Sequence, residues 1–222
     1  MTTTVGAVNT VDAVLWDFGG VLTTSPFEAF NRYEYEAGLP RDLIRKLNAT
    51  NPDDNAWARL ERSHIDVDEF VMLFETEAAA LGHTVDGQRV LECLSGEIRP
   101  EMVEALRRCR EHLRVGCITN NVRAGNGPGM ASSPDRAAAV DEVMELFEVV
   151  VESSKLGMRK PDPRVYTLAC AELGVAPERC AYLDDLGINC KPAAALGMIA
   201  IKVETSEQAL AELSAVVGFP LS

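Results

Sequence analysis

The sequence predicts an α/β fold: a Rossmann-like parallel-sheet core with helices on both faces and an inserted helical cap. Five short, β-rich apolar runs alternate with longer helical patterns, an arrangement typical of βαβ units. The runs are nearly continuously apolar, as expected for strands that helices cover on both faces. Roughly 95 residues separate the first run from the second, far more than a βα connection needs, so this stretch is predicted to be an insertion.

Each core element carries its own sequence signal. The helix predicted over 100–113 begins at a proline and places its apolar side chains on one stripe. The helix over 162–174 begins at Asp-Pro and ends at a glycine, so both of its ends are capped. Two further helices are expected over about 189–196 and over 206–218. The predicted strands are AVLW (13–16), VGCIT (115–119), VVVES (149–153), CAYLD (180–184) and AIKV (200–203).

The segment from about 25 to 98 is predicted to be helical almost throughout. Its five helical stretches each start at Pro or Asp, and two of them end at Gly. We therefore predict an α/β core formed by residues 1–24 and 99–222, and a helical cap formed by residues 25–98. With seven basic and fifteen acidic residues, the insertion has a net charge of −8, which argues against a role as a clamp for a polyanion.

The composition excludes several classes of protein. Of the 222 residues, 47% are hydrophobic and 25% are charged, as in ordinary globular domains rather than disordered or collagen-like chains. No apolar run approaches the roughly 20 residues that span a bilayer. The net charge of −13 and the lack of a Lys/Arg-rich run argue against nucleic-acid binding and against a polybasic membrane-surface patch.

Targeting and redox signals indicate the cytoplasm. The first ten residues, MTTTVGAVNT, have neither the basic nor the apolar region of a secretory signal. None of the six cysteines forms a C-x-x-C pair, and they lie in apolar surroundings, so buried free thiols in a reducing compartment are expected. The three histidines lack the spacing of zinc ligands. We therefore expect a cytoplasmic protein without a zinc site.

A stretch rich in Gly, Pro and Ser, RAGNGPGMASSPDR (123–136), follows the second predicted strand. This composition is typical of a flexible loop. It lies at the end of the sheet where parallel α/β folds place their ligand sites. Two interpretations stay open: a surface insertion without function, or a mobile flap over the site.

Two charged residues lie at the ends of predicted elements, in positions suited to chemistry. Asp17 follows the first strand and precedes Gly19-Gly20, which allow the backbone to approach a ligand closely. Lys160 stands just before the helix that begins near Asp162, where a lysine can neutralise a phosphate as a point charge. Taken singly, each has an ordinary alternative, a turn aspartate and a solvated surface lysine.

Polar residues also follow the second and fourth predicted strands. Thr119-Asn120-Asn121 offers a hydroxyl and backbone N–H groups that can bind an oxyanion, although an ordinary Asx or ST turn would use the same residues. Asp184-Asp185 places two carboxylates side by side, and a hard cation such as Mg²⁺ would relieve their repulsion. The alternative is one acid as a helix N-cap and one in solvent. The carboxyl ends of parallel strands share one edge, so all these groups are expected to meet there.

In chain order these features are Asp, Thr-Asn, Lys-Pro and Asp-Asp, in the segments WDFGGV, CITNN, MRKPDP and YLDDLGIN. On these motifs the chain resembles the haloacid dehalogenase superfamily, whose members carry a D-x-D-G-[TV] loop, a strand ending in Ser/Thr, a lysine before a helix and a strand ending in paired acids. The stretch from 157 to 198 is particularly similar to the phosphatase-type N-terminal domains of soluble epoxide hydrolases. The insertion falls where this superfamily carries its helical cap.

The resemblance implies a Mg²⁺ site. Its ligands would be the Asp17 carboxylate, the backbone carbonyl of Gly19 and the Asp185 carboxylate. Asp184 would lie behind these ligands and orient a water on the metal.

The resemblance also implies a reaction on a small phosphorylated metabolite. Asp17 would be the nucleophile and would form an aspartyl-phosphate. Thr119 and the N–H of Asn120 would bind phosphoryl oxygens. Lys160 would balance the negative charges of Asp17 and the phosphate, so that an anion can attack an anion.

One residue departs from the motif. Phosphatases of the superfamily carry a second Asp two positions after the nucleophile, which protonates the leaving oxygen and later activates water; here that position is Gly19. The carbonyl needed for the metal is retained, but an acid–base group typically worth about 10²–10⁴-fold in rate is missing. We therefore expect a phosphatase that is weakened or restricted to esters with good leaving groups.

Three other interpretations stay open. A haloacid dehalogenase needs no acid because halide leaves unprotonated, but the pair Asp184-Asp185 favours a metal site that dehalogenases lack. A phosphonate-cleaving relative needs a Schiff-base lysine in the cap, where Lys46 is the sole lysine of residues 25–98. A non-catalytic phosphate- or metabolite-binding module would retain the site without turnover. The substrate and the oligomeric state stay open.

Overall fold

A five-stranded parallel sheet lies at the centre of the core. The computed structural model describes residues 11–122 and 133–221. The spatial order of the strands is β3-β2-β1-β4-β5, and every neighbouring pair is parallel. This confirms the predicted fold class, and each predicted strand lies within one residue of an observed one. The strands are β1 (Ala13–Trp16), β2 (Arg114–Thr119), β3 (Val149–Glu152), β4 (Cys180–Asp184) and β5 (Ile199–Lys202).

Helices occupy most of the remaining chain. Among the described residues, none of them is both long enough and apolar enough to cross a membrane. The helices of residues 25–98 are α1 (Pro26–Glu36), α2 (Leu43–Ala49), α3 (Ala56–Glu61), α4 (Val67–Ala80) and α5 (Gly87–Glu92). Those after residue 98 are α6 (Pro100–His112), α7 (Pro134–Met144), α8 (Ser153–Leu156), α9 (Pro163–Leu173), α10 (Gly187–Ala195) and α11 (Ser206–Val217).

The sheet is covered on both faces, which explains its continuously apolar strands. One face packs against α6, α7 and α11, with Trp16 and Leu183 among its buried side chains. The opposite face packs against α9 and α10, with Leu15 and Tyr182 turned towards it. Alternate residues of the same strand therefore enter two separate hydrophobic clusters, and neither face is left for solvent.

Residues 25–98, named here the helical insertion, leave and re-enter the core side by side. Thr23 and Ile98 form an antiparallel bridge. Gly96 is required at this junction because a Cβ there would lie 2.6 Å from the carbonyl oxygen of Thr24. The insertion also has a hydrophobic cluster of its own, in which Trp57, Phe70 and Phe74 contact one another. It is therefore tied to the core at both chain ends but packed around its own apolar centre.

The stretch predicted as a flexible loop, 123–136, lies mostly outside the described residues. Its last four residues are described, and they begin a helix that the composition did not indicate. Ser133 caps this helix through its hydroxyl, which accepts from the N–H of Arg136, and Pro134 is its first residue. Serine followed by proline is a strong helix-start signal, and it outweighs the loop composition that precedes it.

Candidate active site

Three carboxylates meet at the carboxyl edge of the sheet. Asp17 directly follows β1, Asp184 ends β4 and Asp185 follows it. Trp16 pairs with both Cys117 and Leu183, so the residue after β1 lies between the ends of two neighbouring strands. One oxygen from each of the three aspartates lies within 4.8 Å of the other two. The parallel topology therefore brings these distant residues together, as the sequence predicts.

Lys160 is the cation of this cluster. Its side chain is 1% exposed, and its Nζ lies 2.7 Å from Asp17 Oδ2 and 2.8 Å from Asp184 Oδ2. Asp162 caps α9 just beyond it by accepting from the N–H of Arg164, so Lys160 stands on the last turn before a helix, as predicted. Burial alone would lower the pKa of Lys160, but the charges of the two aspartates outweigh it and raise the pKa. The lysine is therefore a permanent charge.

Asp184 is surrounded by donors. Its Oδ2 accepts from Lys160 Nζ, from the hydroxyl of Tyr182 and from Asn189 Nδ2, and its Oδ1 accepts from the N–H of Leu186 at 2.8 Å. Burial raises the pKa of Asp184, but the Lys160 charge and these hydrogen bonds outweigh it, so the net shift is downward. Tyr182 and Asn189 are site residues that the sequence reasoning missed. Asn189 had a signal, since it stands five residues after Asp184 on the following helix.

Asp185 differs from its neighbour although the two are adjacent. Among the described residues, one side-chain donor reaches it, the hydroxyl of Ser25 at 3.1 Å from Oδ2. Burial, followed by the charge of Asp184, raises the pKa of Asp185 to about 6. Burial also raises the pKa of Asp17, against the opposing charge of Lys160. The three carboxylates therefore share one cation: Lys160 pairs with Asp17 and Asp184, whereas Asp185 has the hydroxyl of Ser25.

This imbalance is the test of whether the residues fit a divalent metal. Three carboxylates face one lysine, and one oxygen of each lies within 4.8 Å of the other two, close enough to share one ion. Hard cations such as Mg²⁺ prefer such carboxylate and carbonyl oxygens, and bound charge of this kind favours the ionised carboxylates. The donor set therefore fits Mg²⁺. Asp185 has the most capacity left for a metal, and Asp17 lies beside it, although its own oxygens already contact Lys160 and the N–H of Phe18.

The two glycines after Asp17 have different requirements. Gly20 has φ +78°, and a Cβ there would lie 2.2 Å from Asp185 Oδ2, so any other residue would strain the turn and collide with a site carboxylate. Gly19 lies outside the left-handed region, and a Cβ on it would meet nothing within 4 Å. Position 19 therefore has room for a side chain, although the sequence places none there.

The oxyanion-binding residues predicted after β2 lie at the same edge. Thr119 is buried at the end of the strand. Asn120 Oδ1 accepts from the N–H of Lys160 at 2.8 Å, which ties this turn to the lysine. The N–H of Asn121 donates to Ser153 Oγ, so this residue of the Thr119-Asn120-Asn121 segment is engaged within the protein, and the predicted phosphoryl donors are Thr119 and Asn120.

The helical insertion reaches the sheet edge through polar side chains, of which Ser25 and Glu61 contact residues of the predicted site. Ser25, at its start, contacts Asp185 as described above. Glu61, at the end of α3, lies with Oε2 2.7 Å from Arg159 Nε and 3.4 Å from Asn120 Nδ2. Burial raises the pKa of Glu61, and the Arg159 charge opposes this shift. No sequence pattern identifies Glu61, because its contacts depend on how the insertion packs.

The chain matches known proteins over most of its length. A family model described as haloacid dehalogenase-like hydrolase matches residues 11–197. Phosphatase MT3486 of Mycobacterium tuberculosis is 31% identical over 209 residues, 89% of each chain. Mouse acyl-CoA dehydrogenase family member 10 is 34% identical over 94% of this chain, and pig bifunctional epoxide hydrolase 2 is 28% identical over 94%. The chain spans 19% and 39% of the length of these last two relatives.

Solved structures share the fold. A dehalogenase determined with an intermediate complex has a TM-score of 0.65 and 19% identity, covering 95% of this chain and 99% of that one. A HAD family enzyme from Bacteroides thetaiotaomicron, in complex with magnesium and inorganic phosphate, has a TM-score of 0.56 and 18% identity, covering 86% and 93%. At these identities the likeness extends to the fold alone.

Proposed function

The chain belongs to the haloacid dehalogenase-like hydrolases, and we propose that it is a Mg²⁺-dependent phosphatase in which Asp17 is the nucleophile. One observation carries this proposal. Asp17 shares its oxygen cluster with Asp184 and Asp185, while Lys160 Nζ lies 2.7 Å from Asp17 Oδ2. The similarity to a relative named a phosphatase, over 89% of both chains, supports the same reaction class.

The residues divide the work of one displacement. An oxygen of Asp17 attacks phosphorus, the bond from phosphorus to the ester oxygen breaks, and an aspartyl-phosphate forms on Asp17. Thr119 and the N–H of Asn120 hold phosphoryl oxygens. Lys160 offsets the charge of the attacking carboxylate and of the phosphoryl group. Water then attacks the aspartyl-phosphate, which releases inorganic phosphate and restores Asp17.

The metal would be held by the carboxylates of Asp17 and Asp185 and by the backbone carbonyl of Gly19. When bound, Mg²⁺ supplies positive charge beside the phosphoryl group, which lowers the barrier for attack by an anion. Asp184 holds Lys160 in place and would also orient water at a bound metal. Residues 25–98 serve as a cap over this edge and select a small phosphorylated metabolite in the cytoplasm.

Gly19 sets the range of substrates. A carboxyl group at this position would protonate the leaving oxygen, but glycine has no side chain to do so. The ester oxygen therefore leaves as an anion, which is tolerated by aryl and acyl phosphates and disfavoured for alkyl phosphates. The same residue favours a second candidate function, a phosphate-binding module without turnover. The phosphonate-cleaving alternative has little support, since Lys46 is an exposed residue of α2.

A leaving-group series tests the proposal. Phosphate release should be measured for aryl phosphates of increasing phenol pKa and for an alkyl phosphate, with Mg²⁺ and with EDTA. We expect Mg²⁺-dependent release whose rate falls steeply as the leaving group becomes more basic. Phosphate binding without release from any ester would favour the binding module. Metal-independent release of halide from a 2-haloacid would instead make the chain a dehalogenase.

A further inference from the structure

We propose that Glu61 of the helical insertion is a positioning residue that acts through Asn120 to hold Lys160 against the nucleophile. The proposal deepens the proposed function and rests on it for its kinetic consequence. Its structural part, the connection from Glu61 to Lys160, stands on contacts alone.

Glu61 is fixed on the side of the insertion. Its side chain is 9% exposed, and its Oε1 accepts from the indole N–H of Trp57 at 3.0 Å. Trp57 in turn contacts the rings of Phe30 and Phe70, with centroids 6.2 and 5.4 Å away. The carboxylate is therefore anchored to the aromatic centre of the insertion, and its position follows that of the insertion.

The other oxygen faces the core. Glu61 Oε2 contacts both Arg159 Nε and Asn120 Nδ2, the residues before Lys160 and beside it. The Asn120 amide makes two hydrogen bonds with the backbone of Lys160. Its Oδ1 accepts from the Lys160 N–H at 2.8 Å, and its Nδ2 donates to the Lys160 carbonyl at 3.1 Å. Arg159 Nε also donates to that carbonyl, at 3.3 Å. Glu61 thus orients both groups that hold the Lys160 backbone.

The direction of the effect follows from the charge of Glu61. An ionised acceptor makes stronger hydrogen bonds than a neutral amide, particularly where little water competes. Glutamine has the same shape, but its NH₂ group must face at least one of the three donors that now point at the carboxylate. Asn120 and Arg159 would then be held less firmly, and the Lys160 Nζ would spend less time against Asp17. The insertion therefore completes the site when it packs on the core.

The kinetic test uses Glu61→Gln with Mg²⁺ and an aryl phosphate. We expect kcat to fall about tenfold and KM to stay within about twofold, because charge balance matters most as the phosphoryl group is attacked. In an Asn120→Ala background the same substitution should have a much smaller effect, because only the contact through Arg159 is left. Glu36→Gln, which removes the same charge from an exposed ion pair with Arg89, is the matched control and should behave as wild type.

A second measurement needs no turnover. The N–H of Lys160 should exchange with deuterium about tenfold faster in Glu61→Gln than in wild type or Glu36→Gln, because its acceptor Asn120 is loosened. If Glu61→Gln does not fold, Glu61→Asp, which keeps the charge but shortens the reach, should show a smaller shift in the same direction. If wild type lacks phosphatase activity, the proposed function fails while this measurement still decides the connection.

Two results would overturn the proposal. One is unchanged exchange at Lys160 in Glu61→Gln. The other is a loss of kcat that persists in full in the Asn120→Ala background. Were that persistent loss confined to alkyl phosphates, Glu61 would be acting directly on the leaving group as the acid that position 19 lacks.

Discussion

The sheet edge and the helical insertion differ in the side chains that they bury, which are charged at the edge and aromatic in the insertion. At the edge, Asp17, Lys160 and Asp184 are buried together, so that charged side chains cluster at the carboxyl ends of β1 and β4. In the insertion, Trp57 and Phe74 lie in an aromatic cluster of the kind that stabilises any small helical unit. Stability alone would not favour the buried charges of the edge, and the aromatic cluster of the insertion has no evident catalytic group.

This difference indicates that the sheet edge and the insertion have different roles. Buried carboxylates facing one lysine are costly unless a cation joins them, which is consistent with the Mg²⁺ site proposed at this edge. The insertion has its own apolar cluster, so its sequence can vary without disturbing the edge, as the proposed role in substrate selection requires. Polar contacts with the edge, including those of Ser25 and Glu61, are points where the two regions influence each other.

The largest effect should come from removing the nucleophile. Asp17→Asn keeps the size of the side chain but loses the attacking carboxylate, and we expect turnover of aryl phosphates to fall by about 10⁴-fold or more. Phosphate release in the presence of Mg²⁺ measures it. Asp141→Asn, an exposed position on α7, is the control. Activity retained in Asp17→Asn would show that the edge does not act through this residue, and the comparison between the two regions would lose its basis.

A gain of function should follow from filling position 19. Since a Cβ there meets nothing within 4 Å and the backbone is not left-handed, Gly19→Asp should be accommodated. We expect alkyl-phosphate turnover to rise by about 10²–10⁴-fold, the usual worth of a positioned acid–base group. Aryl phosphates should gain less, because their leaving groups need no proton.

Gly19→Asn separates the acid from the added bulk and should give no gain. Mg²⁺ affinity must be measured in both variants, because residue 19 also offers its carbonyl to the metal. If affinity is unchanged and alkyl phosphates still do not react in Gly19→Asp, then the missing acid is not the limit, and the non-catalytic binding module becomes the better interpretation.

The adjacent aspartates should separate in their contribution to Mg²⁺ binding. Asp184 is occupied by protein donors, whereas Asp185 accepts from Ser25 and has capacity left. Calorimetry should therefore show Mg²⁺ binding weakened by about 100-fold in Asp185→Asn and by about tenfold at most in Asp184→Asn. Equal affinity in both variants and wild type would exclude this assignment.

The pH dependence of Mg²⁺ binding follows from the same carboxylate. A protonated carboxyl cannot ligate the metal, and the pKa of Asp185 without metal is raised to about 6. Affinity in wild type should therefore fall as pH decreases through about 6 and level off above it. A similar titration in Asp185→Asn should lack this step. A step of full size in the variant would assign the proton to another group.

More of the sheet edge than of the insertion's contacts could be predicted from the sequence, for a physical reason. Strands such as AVLW and CAYLD were predictable because burial on both faces makes them continuously apolar, and the groups at their ends followed from parallel topology. Local signals also located the lysine before α9. The contacts of Glu61 could not be predicted from the sequence, because they depend on how the insertion packs on the core.

Other misses had different causes. The helix α7 was hidden by the Gly- and Pro-rich stretch before it, although Ser133 and Pro134 carried the start signal. Tyr182 resembles any apolar strand residue in the sequence, and its hydroxyl becomes a site donor only because Asp184 lies two residues on, on the same side of the strand. Sequence patterns report which face a residue occupies, but they do not report which polar atom it meets there.

The smallest effect on the site should come from a change inside the insertion. Phe74 is fully buried, with its ring stacked 5.2 Å from that of Phe70. Phe74→Leu should lower the free energy of unfolding by about 1–2 kcal/mol, less than truncation to alanine would, because most of the apolar volume is kept. Thermal unfolding with and without Mg²⁺ should show a lower Tm than wild type but the same Mg²⁺-induced rise in Tm. Calorimetry should show Mg²⁺ affinity within about twofold of wild type, since the ligands stand on the sheet.

Leu183→Ala, beside Asp184 on β4, is the matched core variant and should lose both stability and Mg²⁺ affinity. A loss of Mg²⁺ affinity in Phe74→Leu as large as in Leu183→Ala would mean that the insertion shapes the metal site itself, and that the two regions are one cooperative unit.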